Sequence, residues 1–304
     1  MKPEYKIAEI VKATGGKLLS RSKKETSINE LLLDSRKLIH PTQTLFFALS
    51  GQKLDGHDYI EELYKKGVRN FVITKEQNTE KLAEANFVLV KDAVVALQKL
   101  AGFHRGKFNL PVIAVTGSNG KTIVKEWLYQ LLHEDYNIVR NPKSYNSQIG
   151  VPLSLWLIDS ENTLGIFEAG ISEPGEMQKL EKIIKPNIGV FTNIGEAHSE
   201  GFLNVKHKTK EKLTLFTKCD VLIYCKDYPD INQSLGEINA LRDEPVKVMS
   251  WSMSADADLH VSSVMQKDNH SFIHCIYNGR ELDFDIPFAD KASVENAIHC
   301  ACVM

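Results

Sequence analysis

The chain has 304 residues, a length that predicts about two domains. With 43% hydrophobic and 25% charged residues it is excluded from the disordered class. Lys and Arg total 37 against 39 for Asp and Glu, a formal charge of −2, so no basic excess points to nucleic acid or an anionic membrane. No apolar run approaches the ~20 residues that span a bilayer, and Lys6, Glu9 and Lys12 interrupt the N-terminus where a signal peptide needs an apolar core. The cysteines, at 219, 225, 275, 300 and 302, are odd in number and include no CxxC, which argues against a disulfide framework or a zinc ribbon. A cytoplasmic protein is expected.

In chain order, residues 6–13 have helical spacing and stop at Gly15-Gly16. Short apolar runs at 31–33, 44–49, 71–74 and 87–90 read as strands. Between the second and third, 57–67 reads as an amphipathic helix closed by Gly67. These make a small α/β domain over residues 1–90. Asp92 then caps a helix running to Gly106, with Ala93, Val94, Leu97, Leu100 and Ala101 on one face.

The second domain, 91–304, alternates strand and helix. Strands are expected at 111–117, 164–170, 188–195 and 220–225. Helices are expected at 122–134, with Val124, Trp127, Leu128, Leu131 and Leu132 inward, from Pro174 as a first helical position, and over 206–218. Such alternation predicts a mostly parallel sheet covered by helices. From 259 the period becomes two, broken at 267–269 and at Asn278-Gly279, which adds antiparallel hairpins. A last helix carries Val294, Ala297, Ile298 and Ala301 on one face and stops mid-pattern at Met304, so a fragment of a longer protein is expected.

The strongest chemical signal is VIAVTGSNGKT at 112–122. A buried strand enters a Gly-containing turn, and Lys-Thr opens a helix. Gly117 and Gly120 would let backbone N–H groups approach phosphate oxygens beside the positive end of the helix dipole. Lys121 would reach the β- and γ-phosphates and the Thr122 hydroxyl would ligate Mg²⁺. Val115 stands where the strict GxxxxGK[ST] pattern has its first Gly, so the loop is the shorter TGxNGKT. Kinases, ATPases, GTPases and ligases all use such a loop.

TGSNGKT resembles the loop of the Mur ligase superfamily, which couples ATP cleavage to amide-bond formation. Further segments carry the resemblance. FEAG ends a strand at Glu168, matching the family's metal-ligand Glu, and TNIGEAHSEGF places His198 where the family's His contacts a second Mg²⁺. KEKLTLF places Lys212 at the position that the family carboxylates to a carbamate, and ENA places Asn296 at an adenine-contacting Asn. Singly these read blandly: Lys206, Lys208, Lys210 and Lys212 could be one solvated helix face. Their order behind the loop sets them apart. DKAS at 290–293 departs from the family's G-x-H-N, and Ser199 replaces its usual Leu.

The segment 33–60 resembles the family's uridine-nucleotide-binding domain, with Ser35 and Arg36 in the part that contacts UDP. NSQIGVPLSL (146–155) and HSEGF resemble the D-alanyl-D-alanine-adding branch more than the branch adding the third residue, which places Asn146 and Ser147 near the muramoyl-peptide. The resemblance implies ATP held by Thr116, Gly117, Ser118, Asn119, Gly120, Lys121, Thr122 and Asn296. It implies two Mg²⁺ ions on Thr122, Glu168, His198 and carbamylated Lys212, with Lys121, His198 and Lys212 serving catalysis. The substrates would be UDP-N-acetylmuramoyl-tripeptide and D-alanyl-D-alanine, and a monomer is expected. The family's third domain would follow Met304, and in some members an alanine racemase domain follows the ligase. Without that third domain this chain alone is expected not to ligate. A P-loop kinase would have no use for 33–60 or Lys212, and a binding-only sensor of the precursor would dispense with the metal ligands.

Overall fold

Short apolar runs separated by helices cannot pair with their sequence neighbours through tight turns, so they pair in parallel across helical crossovers. The computed structural model describes residues 3–20, 26–51, 54–77, 81–195, 201–240 and 244–304, and in it the runs form two sheets. The chain divides into two compact units, residues 1–108 with 155–161, and 109–154 with 162–304.

The first unit contains α1 (Ile7–Thr14), β1 (Lys17–Ser20), β2 (Glu30–Leu32), β3 (Thr44–Phe47), α2 (Ile60–Lys65), β4 (Asn70–Ile73), β5 (Asn86–Leu89) and α3 (Ala93–Arg105). Its sheet runs β1-β5-β4-β3-β2 and is parallel except for β1 against β5. Phe46, Phe71 and Phe87 fill its core, with the Phe71 and Phe87 rings stacked at 5.4 Å. Burying each contributes about 2–3 kcal/mol. The division falls at 108/109 rather than near 90, because α3 packs on α1. Segment 155–161 joins this unit through a buried cluster. Tyr5 Oη lies 2.6 Å from His104 Nδ1, His104 Nε2 lies 2.9 Å from the Ile158 carbonyl, and Trp156 Nε1 donates to Asn29 O at 2.9 Å.

The second unit contains β6 (Val112–Thr116), α4 (Lys121–Leu132), β7 (Ile138–Arg140), α5 (Gly150–Leu155), β8 (Leu164–Glu168), α6 (Glu176–Ile184), β9 (Ile188–Phe191), α7 (Val205–Leu213) and β10 (Val221–Cys225). There follow α8 (Pro229–Asn239), β11 (Val248–Ser252), β12 (Leu259–Lys267), β13 (His270–Tyr277), β14 (Arg280–Ile286) and α9 (Lys291–Val303). One sheet runs β14-β13-β12-β11-β10-β9-β6-β8-β7. It is parallel from β7 to β12 and antiparallel from β12 to β14, so the hairpins extend the central sheet. All five residues of β6 are buried, as a parallel strand covered on both faces requires.

Two expectations are corrected. Helix α6 opens at Glu176 rather than at Pro174, because Gly175 takes φ +80° and the Glu211 carboxylate accepts from the N–H groups of Gly175 (2.8 Å) and Met177 (3.2 Å). Leu131 of α4 is 50% exposed, while Lys125 on the same helix is fully buried. No helix among the described residues is long and apolar enough to cross a membrane.

Candidate active site

Strand β6 carries the chain to the C-terminal edge of the parallel strands, where loop 117–120 turns into α4. Two positions require glycine. At Gly117 (φ +153°) a Cβ would stand 2.0 Å from Thr192 Oγ1, and at Gly120 (φ +79°) it would stand 2.3 Å from Asn296 Oδ1. The first-turn N–H groups of α4, at Lys121, Thr122 and Ile123, have no acceptor within the helix and form the anion-seeking end of its dipole. Lys121 is curled back, its Nζ donating to the carbonyls of Gly117 (2.8 Å) and Ser118 (3.0 Å).

The lysines of α7 divide by face, as an i, i+4 spacing dictates. Lys206 and Lys210 point outward and share Glu237, each at 2.6 Å. Lys208 and Lys212 are buried. Lys208 Nζ donates to Gly195 O at 2.7 Å and Lys212 Nζ to Gly117 O at 3.1 Å. Burial, with the charges of Lys121 and Lys208 added, pushes the Lys212 amine down to about 7. Burial also lowers Lys121, opposed by Glu168 and reinforced by Lys208.

Glu168, at the end of β8, is wholly buried. Its Oε1 accepts from Asn146 Nδ2 at 3.1 Å, while Oε2 is buried without a partner. An orphaned carboxylate oxygen of this kind costs free energy unless a cation joins it, which fits a metal ligand. Among the described residues no three His, Cys, Asp or Glu side chains converge on one point. Asn141 holds the Glu168 backbone, accepting from its N–H at 2.6 Å. Lys125 in turn donates to the carbonyls of Asn141 (3.0 Å) and Lys143.

A cleft of about 270 Å³ is lined by Gly117, Ser118, Lys121, Asn146, Ser147 and Lys212, among others. The structure thus brings together phosphate-loop, substrate-segment and lysine positions that lie up to 95 residues apart. Ser147 has a second task, its Oγ accepting from Gly150 N at 3.1 Å at the start of α5.

Three loop positions are already occupied. Thr116 Oγ1 donates to Ala169 O at 2.7 Å, away from the loop. The N–H groups of Ser118 and Asn119 donate to Asn193 O and Oδ1, both at 2.9 Å, and the Ser118 hydroxyl bonds with Gly195. The N–H groups at the head of α4 are the ones left without an acceptor in the helix. Asn296 is 2% exposed and packs its amide against Gly120. Ser35 and Arg36 lie in the first unit, where Arg36 grips Asp34 with two bonds of 2.8 Å and holds its carboxyl at about 2. His198 lies outside the described residues. Lys125, Asn141, Lys208, Thr192 and Asn193 escaped sequence reasoning; only Lys208 carried a signal, one turn before Lys212.

A strand, a glycine loop and a helix head closing over buried lysines define a P-loop nucleotide-binding unit. The family described as Mur ligase middle domain matches residues 115–304, and that described as Mur ligase family, catalytic domain, matches residues 27–105. The chain belongs to the Mur ligase family. It is 30% identical over 276 residues to a UDP-N-acetylmuramoyl-tripeptide–D-alanyl-D-alanine ligase of Borreliella burgdorferi, covering 88% of this chain and 58% of that protein. Its fold is similar to a crystal structure of MurF from Acinetobacter baumannii, with a TM-score of 0.87 and 23% identity, over 99% of this chain and 64% of that one. A MurF ligase from Thermotoga maritima in complex with ADP gives 0.80 and 23%, over 90% and 62%. The chain therefore spans about three fifths of the length of the proteins it is similar to.

Proposed function

We propose that the chain is part of an ATP-dependent ligase that joins D-alanyl-D-alanine to UDP-N-acetylmuramoyl-tripeptide, releasing ADP and phosphate. One observation carries this reading. Lys121 and Gly117 share a single cleft with Asn146, Ser147 and Lys212, so nucleotide phosphates and an acceptor carboxylate would meet there. The substrate named for the Borreliella relative supports its identity. In the first step a carboxylate oxygen of the tripeptide attacks the γ-phosphorus and ADP departs, leaving an acyl phosphate. In the second the dipeptide amine attacks the acyl carbon, phosphate departs and the amine proton is lost.

Such chemistry asks chiefly for positioning and charge neutralisation. Lys121 would swing from the Gly117 and Ser118 carbonyls onto the β- and γ-oxygens, and the head of α4 would hold the same phosphates. Thr122 and Glu168 would hold one Mg²⁺, and carbamylated Lys212 with His198 a second. Bound Mg²⁺ supplies neutralisation of phosphate and carboxylate charge. A Lys212 amine near 7 is substantially unprotonated at neutral pH, and its Nζ can then form a bond to the carbon of CO₂ with loss of a proton. The product is an anionic oxygen ligand suited to a hard cation. Residues 1–90 would bind the UDP moiety through Ser35 and Arg36, residues 91–304 would bind ATP, and Asn296 would contact adenine.

Titration calorimetry of this chain with UDP-N-acetylmuramoyl-tripeptide, its dipeptide form and UDP tests the reading. Tighter binding of the tripeptide supports it. Equal binding of all three leaves only a uridine site, and no binding to any of them sinks the substrate assignment.

A further inference from the structure

Apart from the Lys121 side chain, which donates to the Gly117 and Ser118 carbonyls, the phosphate loop is held from outside. Its Ser118 and Asn119 N–H groups are fixed by Asn193, at 2.9 Å each, and the Asn119 carbonyl accepts from Thr192 Oγ1 at 2.6 Å. The template for the loop is therefore the segment following β9, and what fixes that segment fixes the loop.

The Thr192 carbonyl is held by α9. His299 Nε2 lies 2.7 Å from it, and His299 Nδ1 lies 3.1 Å from Trp251 Nε1 at the end of β11. An indole N–H can only donate, so Nδ1 is the acceptor and the single ring proton sits on Nε2, donated to Thr192 O. Both partners are buried, His299 at 0% and Trp251 at 1% exposure. Burial pushes the imidazole down to about 4, so this neutral tautomer persists across physiological pH. One turn earlier on the same helix, Asn296 presses its Oδ1 against Gly120. Helix α9 thus meets the loop at its far end directly and at its middle through Thr192.

We infer that His299 is a positioning residue for nucleotide binding, setting the phosphate loop through a relay from Trp251 through His299 and Thr192 to Asn119. His299 touches no ligand-facing atom itself. Gln at this position can both donate to a carbonyl and accept from an indole, whereas Leu fills the space and makes neither bond. The inference rests on the nucleotide-binding reading, so two readouts are needed, one with ligand and one without.

The first readout is hydrogen–deuterium exchange over 117–121 in the free chain, comparing His299→Leu, His299→Gln and Trp251→Phe with wild type. His299→Leu should speed exchange at Ser118 and Asn119 about tenfold relative to the amides of β3–β5, and Trp251→Phe about threefold, with Gln near wild type. The second readout is MgADP affinity by calorimetry. It should fall about tenfold in His299→Leu and be largely restored in His299→Gln, while UDP affinity stays unchanged. A His299→Leu protein with a lower Tm but unchanged loop exchange and unchanged MgADP affinity overturns the inference and makes His299 a core residue only. If His299→Leu fails to fold, Trp251→Phe decides by the same two readouts. Faster loop exchange with no MgADP binding even in wild type would uphold the relay as a shape-setting device and remove the nucleotide reading instead.

Discussion

The two candidate anion sites of this molecule are built on opposite principles. At the phosphate loop, Lys121, Lys208 and Lys212 crowd together, each donating to a backbone carbonyl, beside a Glu168 oxygen that has no partner. At the 35–37 turn, Arg36 is 86% exposed and already satisfied by Asp34. The first arrangement crowds like charges, so an anion and a cation bound there would relieve repulsion as well as make contacts. The second is comfortable when empty, and a ligand must compete with a neighbouring carboxylate for the guanidinium. Buried cations couple stability to binding, while an exposed local pair couples them weakly.

Four substitutions sharpen that contrast. Lys121→Ala should weaken MgADP binding by about 10–100-fold, the scale of one lost hydrogen bond to a charged group. Its far-UV spectrum should be unchanged, and calorimetry showing undiminished affinity would remove Lys121 from the site. Gly120→Ala combines a left-handed backbone with a Cβ 2.3 Å from Asn296 Oδ1, and should cost about 2–3 kcal/mol in urea unfolding. An unaffected midpoint would mean that α9 yields easily.

Lys212→Met should raise stability at pH 6, by about 1–2 kcal/mol on the scale of a relieved buried charge. Its sign with pH follows from proton linkage. The folded Lys212 sits at about 7 against an ordinary 10.5, so between those values the unfolded chain binds more protons and wild-type stability rises with pH. The advantage of Lys212→Met is therefore full below pH 7 and shrinks as the pH approaches 10.5. A pH-independent difference between the two proteins, followed by urea unfolding, would show that the ammonium carries no penalty. Smallest in effect on the fold, Arg36→Ala should leave Tm unchanged while lowering UDP affinity about fivefold, as loss of one exposed charge-assisted contact would. A Tm drop would show that the turn matters to the fold.

Much of this was legible from contiguous residues. The strand, loop and helix of 112–132 announce themselves locally, and Asp92 caps its helix as expected, accepting from Val95. Strands β7 and β11 did not stand out, because IVR is too short and KVMSWS too polar to show a period. The site's supports were less visible still. Lys125 in an amphipathic helix reads as solvent-facing, yet it reaches carbonyls 16 and 18 residues away. The bond from His299 to Thr192 spans 107 residues, and nothing near either residue in sequence announces the other. The domain division moved for the same reason, since α3 is claimed by α1 from far upstream.

The nine-stranded sheet stops at β7 and β14, and each end meets the hazard of an unpaired strand differently. Strand β7 is three residues long, too brief to template another chain. Strand β14 is seven, and carries Arg280, Glu281, Asp283 and Asp285 along its length. A second molecule adding a strand there would bring its own backbone against three carboxylates. One edge of this large sheet is thus closed to further strands by its brevity and the other by its charge.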